Sequence, residues 1–456
     1  MYNNPMENEK IYHIETLGCQ MNERDSETIA GMLESLDYRS AESESFDTSQ
    51  ADVIVINTCS VRENADNRFF GMLGRVKHLK EKKPATVVAV CGCMMQQQHI
   101  IDKLRGSYGW IDIVFGTHNI HEFPRLLENV RTEHRKVMEV QSEHGEIVEG
   151  LPSKRAYPWK AFVNIMYGCN NFCTYCIVPY TRGRERSRKP EDILREVAAL
   201  CADGVKEITL LGQNVNSYLG VCENGREIDF PSLLGQLSAV QDLRRLRFMT
   251  SHPKDLSNEL VQAFAEYQTL CPCIHLPVQA GSNRTLARMN RNYTRETYFD
   301  LVDRLRKVRP GIAITTDLIV GFPGETEEDF EETMRLIERV RFDSAFTFLY
   351  SPRLGTPAAD YADQIPEDIK HARFNRMVER LNAITLEINE GYMGKTLPVL
   401  IEGRSKTKDD MLFGRTDTGK LVNIHTSDHT LSGTIQTVEI VSVNTFSFTG
   451  EIHGRS

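Results

Sequence analysis

The sequence has no apolar run that approaches the roughly 18 residues of a membrane-spanning helix. Residues 1–10 are polar and lack the apolar core of a secretory signal peptide, so we expect a cytoplasmic protein with no membrane partner, whose thiols stay reduced. Eleven cysteines in 456 residues are too few for a disulfide-stapled scaffold, and in a reducing compartment cysteine clusters indicate metal ligands or catalytic thiols. A basic excess is also absent, because 54 Lys and Arg stand against 63 Asp and Glu, for a net charge of −9. This balance disfavours an unspecific nucleic-acid binder but leaves room for local basic strips.

The length and the composition, with 40% hydrophobic and 26% charged residues, predict a globular α/β protein of about two to three domains. In its first part, short apolar runs such as 52–56 and 86–90 are typical of parallel strands buried on both faces. Residues 26–36 carry apolar positions at helical spacing, so we expect an N-terminal domain built on an open α/β sheet. The polar stretch from about 130 to 158 predicts a linker.

From residue 161 onwards, strand-like and helix-like segments alternate. Six such βα units predict a central (β/α)6 partial TIM barrel, with strands at 161–166, 207–211, 245–250, 272–276, 312–320 and 345–349. A long amphipathic helix is predicted for 366–390. After it, short β-rich runs alternate with turns and predict a small antiparallel β-barrel of the kind that often binds oligonucleotides, with runs at 397–401, 420–425, 434–443 and 446–452.

The strongest chemical signal is the segment Gly168-Cys169-Asn-Asn-Phe-Cys173-Thr-Tyr-Cys176, directly after the first strand of the βα region. Three thiolates at this spacing on one loop can hold three irons of a [4Fe–4S] cluster, which leaves the fourth iron open to a small chelating molecule. Zinc is the rival metal, although zinc sites usually combine two cysteine pairs. Three unliganded core cysteines are the remaining alternative.

This segment resembles the cluster loop of the radical S-adenosylmethionine (SAM) enzymes. The resemblance implies that the methionine end of SAM chelates the open iron and that reduction then cleaves SAM to a 5′-deoxyadenosyl radical. It also implies a set of cofactor-binding positions along the barrel, at Tyr175, Gln213, Asn214, Gln279, Gly321, Glu325 and Tyr350. For Gly321 and its neighbours, the alternative is a plain turn before a helix.

Three more cysteines, Cys19, Cys59 and Cys93, each follow a predicted strand or begin a turn in the first domain. The ends of parallel strands meet at one crevice, so these thiolates could form a second three-cysteine site, although spacing alone favours buried structural cysteines. Cys91 is an alternative ligand to Cys93. The other cysteines, Cys201, Cys222, Cys271 and Cys273, are interpreted as bystanders.

The segments around these three cysteines are similar to the signature segments of the methylthiotransferase family: Thr16-Leu-Gly-Cys19-Gln-Met-Asn22, Asn57-Thr-Cys59-Ser-Val-Arg-Glu63 and Gly92-Cys93-Met-Met-Gln96. The resemblance implies a methylthiotransferase domain at 1–150 with an auxiliary cluster, a radical SAM domain at 151–388 and an RNA-binding TRAM domain at 389–456. Cys-Gln-Met-Asn is similar to the branch that acts on N6-isopentenyladenosine in tRNA. A branch that modifies a ribosomal protein usually has Cys-Pro-Lys-Asn there.

Basic residues cluster in two places that suit an RNA partner: Arg182, Arg184, Arg186 and Arg188 follow the cluster loop, and Arg404, Lys406 and Lys408 lie in the last domain. We expect these cations to contact phosphates, and Arg284, Arg288, Arg291 and Arg295 could add to the first strip. The alternatives are a solvated, salt-bridged strip and a purely structural cap.

The resemblance implies an enzyme with two [4Fe–4S] clusters, held by Cys169, Cys173 and Cys176 and by Cys19, Cys59 and Cys93. One SAM would supply the methyl group and a second the radical that removes hydrogen from C2 of the modified adenosine next to the anticodon. The substrate is then a tRNA anticodon stem-loop carrying N6-isopentenyladenosine, and the electron donor and the sulfur source are external. No catalytic residue beyond the cluster ligands is predicted.

Overall fold

The computed structural model describes residues 10–41, 50–60, 63–141, 145–405 and 410–453. The chain divides into two compact units. The first comprises Met1–Ala156, Tyr167–Asn170 and Cys176–Arg186, and the second comprises Tyr157–Met166, Asn171–Tyr175 and Ser187–Ser456. Across the described residues, no helix combines the length and the apolar character needed to cross a membrane.

The first unit is built on a six-stranded parallel sheet, which confirms the predicted open α/β sheet. Its β-branched central strands are buried along their whole length, because apolar side chains and helices cover both faces. In sheet order, the strands are Tyr38–Ser40, Lys10–Thr16, Val53–Thr58, Val87–Gly92, Ile113–Phe115 and Val137–Glu139. The helices are Gln20–Glu34, Glu63–Lys82, Gln98–Ser107, Phe123–Glu133 and the single turn Val178–Thr181, with a 3-10 turn at Cys93–Gln96.

Two boundaries in this unit differ from the prediction. The first helix begins at Gln20, directly after Cys19, and not at residue 26. The last strand, Val137–Glu139, lies inside the predicted linker and pairs with Ile113–Phe115. A strand of three residues is too short for an alternating pattern to reveal it.

The second unit contains six parallel strands in two three-stranded sheets, which confirms the predicted partial barrel. The strands are Arg245–Phe248, Glu207–Leu211 and Lys160–Asn164 in one sheet and Cys273–His275, Ala313–Val320 and Ser344–Leu349 in the other. The helices between them are Pro190–Ala202, Phe230–Ser238, Asn258–Glu266, Asn283–Arg288, Arg295–Val308 and Glu327–Val340. Smaller strands lie at Met166–Tyr167, Arg186–Ser187, Leu219–Val221 and Glu227–Asp229.

The long helix Glu367–Glu390 leads into a closed five-stranded barrel, which confirms the predicted small β-barrel. Its pairings are antiparallel as predicted except one, because Leu421–His425 and Phe448–Ile452 pair in parallel. Around the barrel, the strands are Thr396–Arg404, Met411–Thr416, Leu421–His425, Phe448–Ile452 and Ile435–Val443. The second of these was not predicted. Its core holds Val399, Leu412 and Phe448.

Two arginines, one buried and one half-buried, join the small barrel to the N-terminal ends of the large barrel's strands. Arg245 donates to the carbonyl oxygens of Arg415 and Pro398 at 2.9 and 2.8 Å, and Arg247 donates to those of Asp417 and Thr416 at 2.8 and 2.7 Å. The small barrel therefore occupies the end of the second unit opposite to the carboxyl ends of its strands.

Candidate functional site

The three cysteines of the first unit lie at the carboxyl ends of three neighbouring parallel strands. Cys59 and Cys93 follow Val53–Thr58 and Val87–Gly92 directly, and Cys19 follows the adjacent strand, Lys10–Thr16. Cys59 donates a hydrogen bond to the Cys19 sulfur, and Arg182 is close enough to act on the charge of both Cys19 and Cys93. Parallel pairing therefore carries cysteines from three distant segments to neighbouring strand ends.

Buried amides tie these three segments to one another. Asn22 donates to Asn57 Oδ1 at 3.0 Å and to the Thr58 carbonyl oxygen at 2.8 Å, and Asn57 returns a hydrogen bond to the Asn22 carbonyl oxygen at 2.9 Å. Neither side chain is exposed to solvent. Hydrogen bonds between buried amides thus join the segments that carry Cys19 and Cys59, as expected for buried polar groups.

Only glycine fits at position 92, where the chain before Cys93 passes close to the neighbouring strand end at Thr58. The φ of Gly92 is +99°, and a Cβ atom there would lie 2.2 Å from the Thr58 carbonyl oxygen. Any other residue would be strained by its backbone conformation and would collide with the neighbouring strand end. The glycine of the Gly-Cys signature therefore has a steric cause.

The thiols of this crevice differ in their ionisation. The pKa of Cys19 lies well below its ordinary value, because Cys59 donates to its sulfur and because Arg182 adds positive charge. Burial raises the pKa of Cys93, although Arg182 opposes that effect. Cys91 is different, since it packs in the apolar core beside Val55, and burial raises its pKa well above the usual range. This placement favours Cys93 over Cys91 as the ligand.

The loop with Cys169, Cys173 and Cys176 follows the first strand of the large barrel. Gly168 has a φ of +76°, and a Cβ atom there would lie 2.0 Å from the Arg184 carbonyl oxygen. In the second unit, Cys173 is buried and accepts a hydrogen bond from Arg291 at 3.4 Å. Within the described ranges, no three His, Cys, Asp or Glu side chains are arranged to hold a metal ion, so both ligand sets stay predictions.

Two of the positions predicted to bind SAM lie together in the second unit. Tyr175 packs against an apolar cluster that contains Tyr350, Phe322 and Ala280, and this cluster lies at the carboxyl ends of the strands. Gly321, with a φ of +76°, follows the strand Ala313–Val320. Aromatic and small apolar side chains form the kind of surface that accepts a flat heteroaromatic ring.

The polar members of the predicted SAM set contact neighbouring elements of the second unit. Glu325 accepts hydrogen bonds from the Gly321 backbone at 3.1 Å and from Arg373 at 3.0 Å, and burial raises its pKa to about 7. Asn214 is buried and donates to Asp255 at 2.8 Å. Gln213 precedes it, and Gln279 adopts a φ of +73° while its backbone bridges to Leu318. These contacts favour a role in shaping the strand ends.

The predicted basic strip is divided between buried and exposed side chains. Arg182 is buried, and so is Arg188, which donates to the Asn164 carbonyl oxygen at 2.6 Å and pairs with Glu196 at 2.7 Å. Arg186 is half-buried and donates to the Gly145 carbonyl oxygen, whereas Arg184 is exposed. In the small barrel, Arg404 is exposed, and Lys406 and Lys408 lie outside the described residues.

The sequence did not reveal Asp25, which pairs with Arg182 at 2.9 Å, or the contact of Arg182 Nε with Cys93 Sγ at 3.0 Å. It also did not reveal that Arg291 contacts Cys173. The only available signal was an arginine six residues after Cys176, and this position suits a phosphate contact equally well.

Comparison with known families accounts for most of the chain. Residues 163–337 match the radical SAM superfamily, residues 390–453 match the TRAM domain, and residues 11–116 match a family described as uncharacterized protein family UPF0004. Among solved structures, the chain is similar to the radical S-adenosylmethionine methyltransferase TsrM from Kitasatospora setae, solved with cobalamin and a [4Fe–4S] cluster bound. That likeness has a TM-score of 0.55 at 14% identity over 77% of each chain, so it supports the fold alone.

Two relatives match nearly from end to end. A protein of Clostridioides difficile (strain 630) is 51% identical over 97% of this chain and 91% of its own length, and one of Clostridium perfringens (strain ATCC 13124) is 53% identical over 97% and 98%. Both are named tRNA-2-methylthio-N(6)-dimethylallyladenosine synthase. Identity of this extent confirms the predicted family: the chain belongs to the tRNA-2-methylthio-N(6)-dimethylallyladenosine synthases of the radical SAM superfamily.

Proposed function

We propose that this chain inserts a methylthio group at C2 of N6-isopentenyladenosine next to the tRNA anticodon, with two [4Fe–4S] clusters and two molecules of SAM. The radical SAM methylthiotransferase activity follows from its family. The observation that carries the finer proposal is the meeting of Cys19, Cys59 and Cys93 at three neighbouring strand ends. A second cluster needs such a set of thiols in addition to the loop cysteines.

The donor chemistry fits both clusters. Each set offers three cysteine sulfurs, which are the ligands that iron–sulfur clusters prefer, and each would leave one iron without a protein ligand. When bound, a [4Fe–4S] cluster with SAM supplies the 5′-deoxyadenosyl radical that can break an unactivated C–H bond such as adenine C2–H. Overall, C2–H is replaced by C2–SCH3, the methyl group comes from one SAM, and the hydrogen leaves with the deoxyadenosyl part of the other. The sulfur and the electrons come from external donors.

The residues around the large barrel's strand ends would hold SAM. Tyr175 would pack against its adenine, and the apolar cluster around Tyr350 would exclude water from the radical. Gly321 carries no side chain, and Lys370 packs into the space, since its Cγ would lie 2.4 Å from a Cβ atom there. The target base must leave its stack in the anticodon loop to reach a buried site.

The two cysteine sets are connected by a short piece of chain. Cys176 ends the loop, the single-turn helix Val178–Thr181 follows, and Arg182 then reaches Cys93. Six residues span at most about 22 Å between Cα atoms. Cys176 is therefore no farther than this limit from the arginine that contacts Cys93.

Cysteine variants test the assignment of the two sites. Cys169→Ala should abolish SAM cleavage, whereas Cys19→Ala should spare cleavage and abolish sulfur insertion into undermodified tRNA. The measurements are 5′-deoxyadenosine release and methylthiolated nucleoside by mass spectrometry. Iron content after anaerobic reconstitution should be about eight per wild-type chain and about four in either set's triple variant, since each cluster holds four irons.

The half-buried Cys222, which belongs to neither set, provides a matched control. Cys222→Ala should keep both activities and the full iron content. Methylthiolated tRNA from the Cys19 variant, or about four irons in the wild-type chain, would show that the first-unit site is assigned wrongly.

A further inference from the structure

A buried ion pair lies against one of the predicted ligands in the first unit. Arg182 and Asp25 are 5% and 6% exposed, and their side chains meet at 2.9 Å. Arg182 Nε also donates to Cys93 Sγ at 3.0 Å. An arginine without such partners would be costly to bury, so this position favours both the carboxylate and the sulfur as partners.

The geometry of the pair is directional. Arg182 uses Nη2 of its guanidinium for Asp25 and Nε for Cys93. The planar group can make both contacts only in one orientation, and this orientation fixes the position of the Cys93 sulfur. Asp25 lies on the helix that begins after Cys19, so the pair also joins the segments of two predicted ligands.

The burial of Arg182 disfavours its predicted contact with a tRNA phosphate, because a phosphate would have to displace Asp25 or Cys93 from the interior. The neighbouring Arg184 is exposed and suits that role. Arg182 thus places a permanent positive charge beside the Cys93 sulfur. RNA binding does not account for this charge.

We propose that Arg182, oriented by Asp25, is a positioning residue that hydrogen-bonds to Cys93 as a cluster ligand and raises the reduction potential of the first-unit cluster. The inference rests on the proposed function, since it assumes that cluster. A hydrogen bond and a positive charge at a ligand sulfur stabilise the more negative, reduced state, and they are among the means by which proteins set such potentials. Asp25 partly cancels the charge and so limits the rise.

The test is a redox titration of the reconstituted full-length chain, followed by electron paramagnetic resonance. A variant that lacks Cys169, Cys173 and Cys176 identifies the signal of the first-unit cluster. Arg182→Gln should move the midpoint potential of that signal to more negative values, and Arg182→Lys should move it less in the same direction. Asp25→Asn should move it to more positive values, because it leaves the arginine charge uncompensated.

Opposite shifts from the two partners are a result that a merely structural role would not produce. Arg184→Gln and Glu23→Gln, which change exposed neighbours of the pair, should leave the potential unchanged. If Arg182→Gln loses iron, Arg182→Lys and Asp25→Asn still give the sign of the effect.

The outcomes separate this inference from the proposed function. About eight irons in the wild-type chain with unmoved potentials in the variants would overturn the role of Arg182 alone. About four irons in the wild-type chain would overturn the first-unit cluster and this inference with it.

Discussion

Single buried cations lie against sulfur at both predicted ligand sets. Arg182 contacts Cys93, and Arg291, which is 4% exposed, contacts Cys173 and the Pro277 carbonyl oxygen. The positive charge of an arginine does not tell which ligand it binds, since the same guanidinium can donate to a phosphate or to a thiolate. The role of each arginine depends on its hydrogen-bond partner, and Cys93 and Cys173 lie far from these arginines in the sequence.

His252 carries a pH dependence that can be measured. It is buried, its Nδ1 accepts a hydrogen bond from the Lys254 backbone at 3.2 Å, and burial together with Arg291 and Lys254 lowers its pKa to about 2. The folded chain therefore keeps this histidine neutral, while the unfolded chain protonates it below pH of about 6.5. The free energy of unfolding should fall as the pH drops below that value, by about 2 kcal/mol at pH 5 from this group.

Urea unfolding at pH 7 and pH 5 checks this expectation. His252→Asn retains an acceptor near Nδ1 but cannot take up a proton, so it should lose less stability between the two pH values than the wild-type chain. His371→Asn, at an exposed site on the long helix, serves as the control and should behave like the wild type. An equal pH loss in the His252 variant would contradict the neutral, buried state.

The candidate functional residues of this chain lie at the ends of its strands. The thiols of the first unit follow the carboxyl ends of parallel strands, and so do Tyr350 and Gly321 in the second unit. The N-terminal ends of the large barrel's strands serve stability instead. There Glu207, 2% exposed, is surrounded by Arg247 at 3.1 Å, Arg245 at 3.6 Å and Lys160 at 3.7 Å.

Removing the charge of Glu207 should weaken this end of the barrel. Burial opposes its ionisation, but the three cations outweigh burial and hold its pKa below the ordinary value. Glu207→Gln would deprive Arg245 and Arg247 of this carboxylate, whereas Lys160 keeps Glu402 at 2.8 Å, so the free energy of unfolding should fall by about 3–5 kcal/mol at neutral pH. Glu227→Gln, on an exposed strand, should change it little. Chemical denaturation measures both, and equal stabilities would show that the cations are compensated elsewhere.

The whole chain combines a sheet domain, a partial barrel and a small β-barrel, and it crosses between its two compact units within the cysteine loop. Its net charge of −9 means that any attraction to RNA is local. Of the described residues in the predicted basic strips, Arg184 and Arg404 are exposed. The chain thus presents few of its predicted phosphate contacts to solvent.

Those two arginines should account for part of the salt dependence of tRNA binding. Replacing each with glutamine should weaken binding and reduce the slope of log K against log salt by about 0.7–0.9 for each lost phosphate contact. Arg335→Gln, at a 59% exposed site that pairs with Glu328, is the matched control and should keep the wild-type slope. Binding titrations from low to moderate salt measure the slope. Unchanged slopes in both variants would place the RNA elsewhere.

The sequence by itself determined the order of the elements, the family and the candidate ligands. Hydrophobic periodicity and strand length are local properties of the sequence. The spacing of Cys169, Cys173 and Cys176 is local too, so it can be recognised without the tertiary structure. Short strands such as Val137–Glu139 escaped prediction because three residues carry no period.

Only the tertiary structure decided which cations turn inward. Arg182, Arg188 and Arg291 belong to stretches that look like solvated basic strips, but they are buried against Asp25, Glu196 and Cys173. Likewise, Cys91 and Cys93 differ by two positions, and the packing of the sheet places Cys91 in the apolar core. The physical reason is that burial and pairing depend on groups that meet through folding, and these partners of Arg182 and Arg291 lie more than a hundred residues away in the sequence.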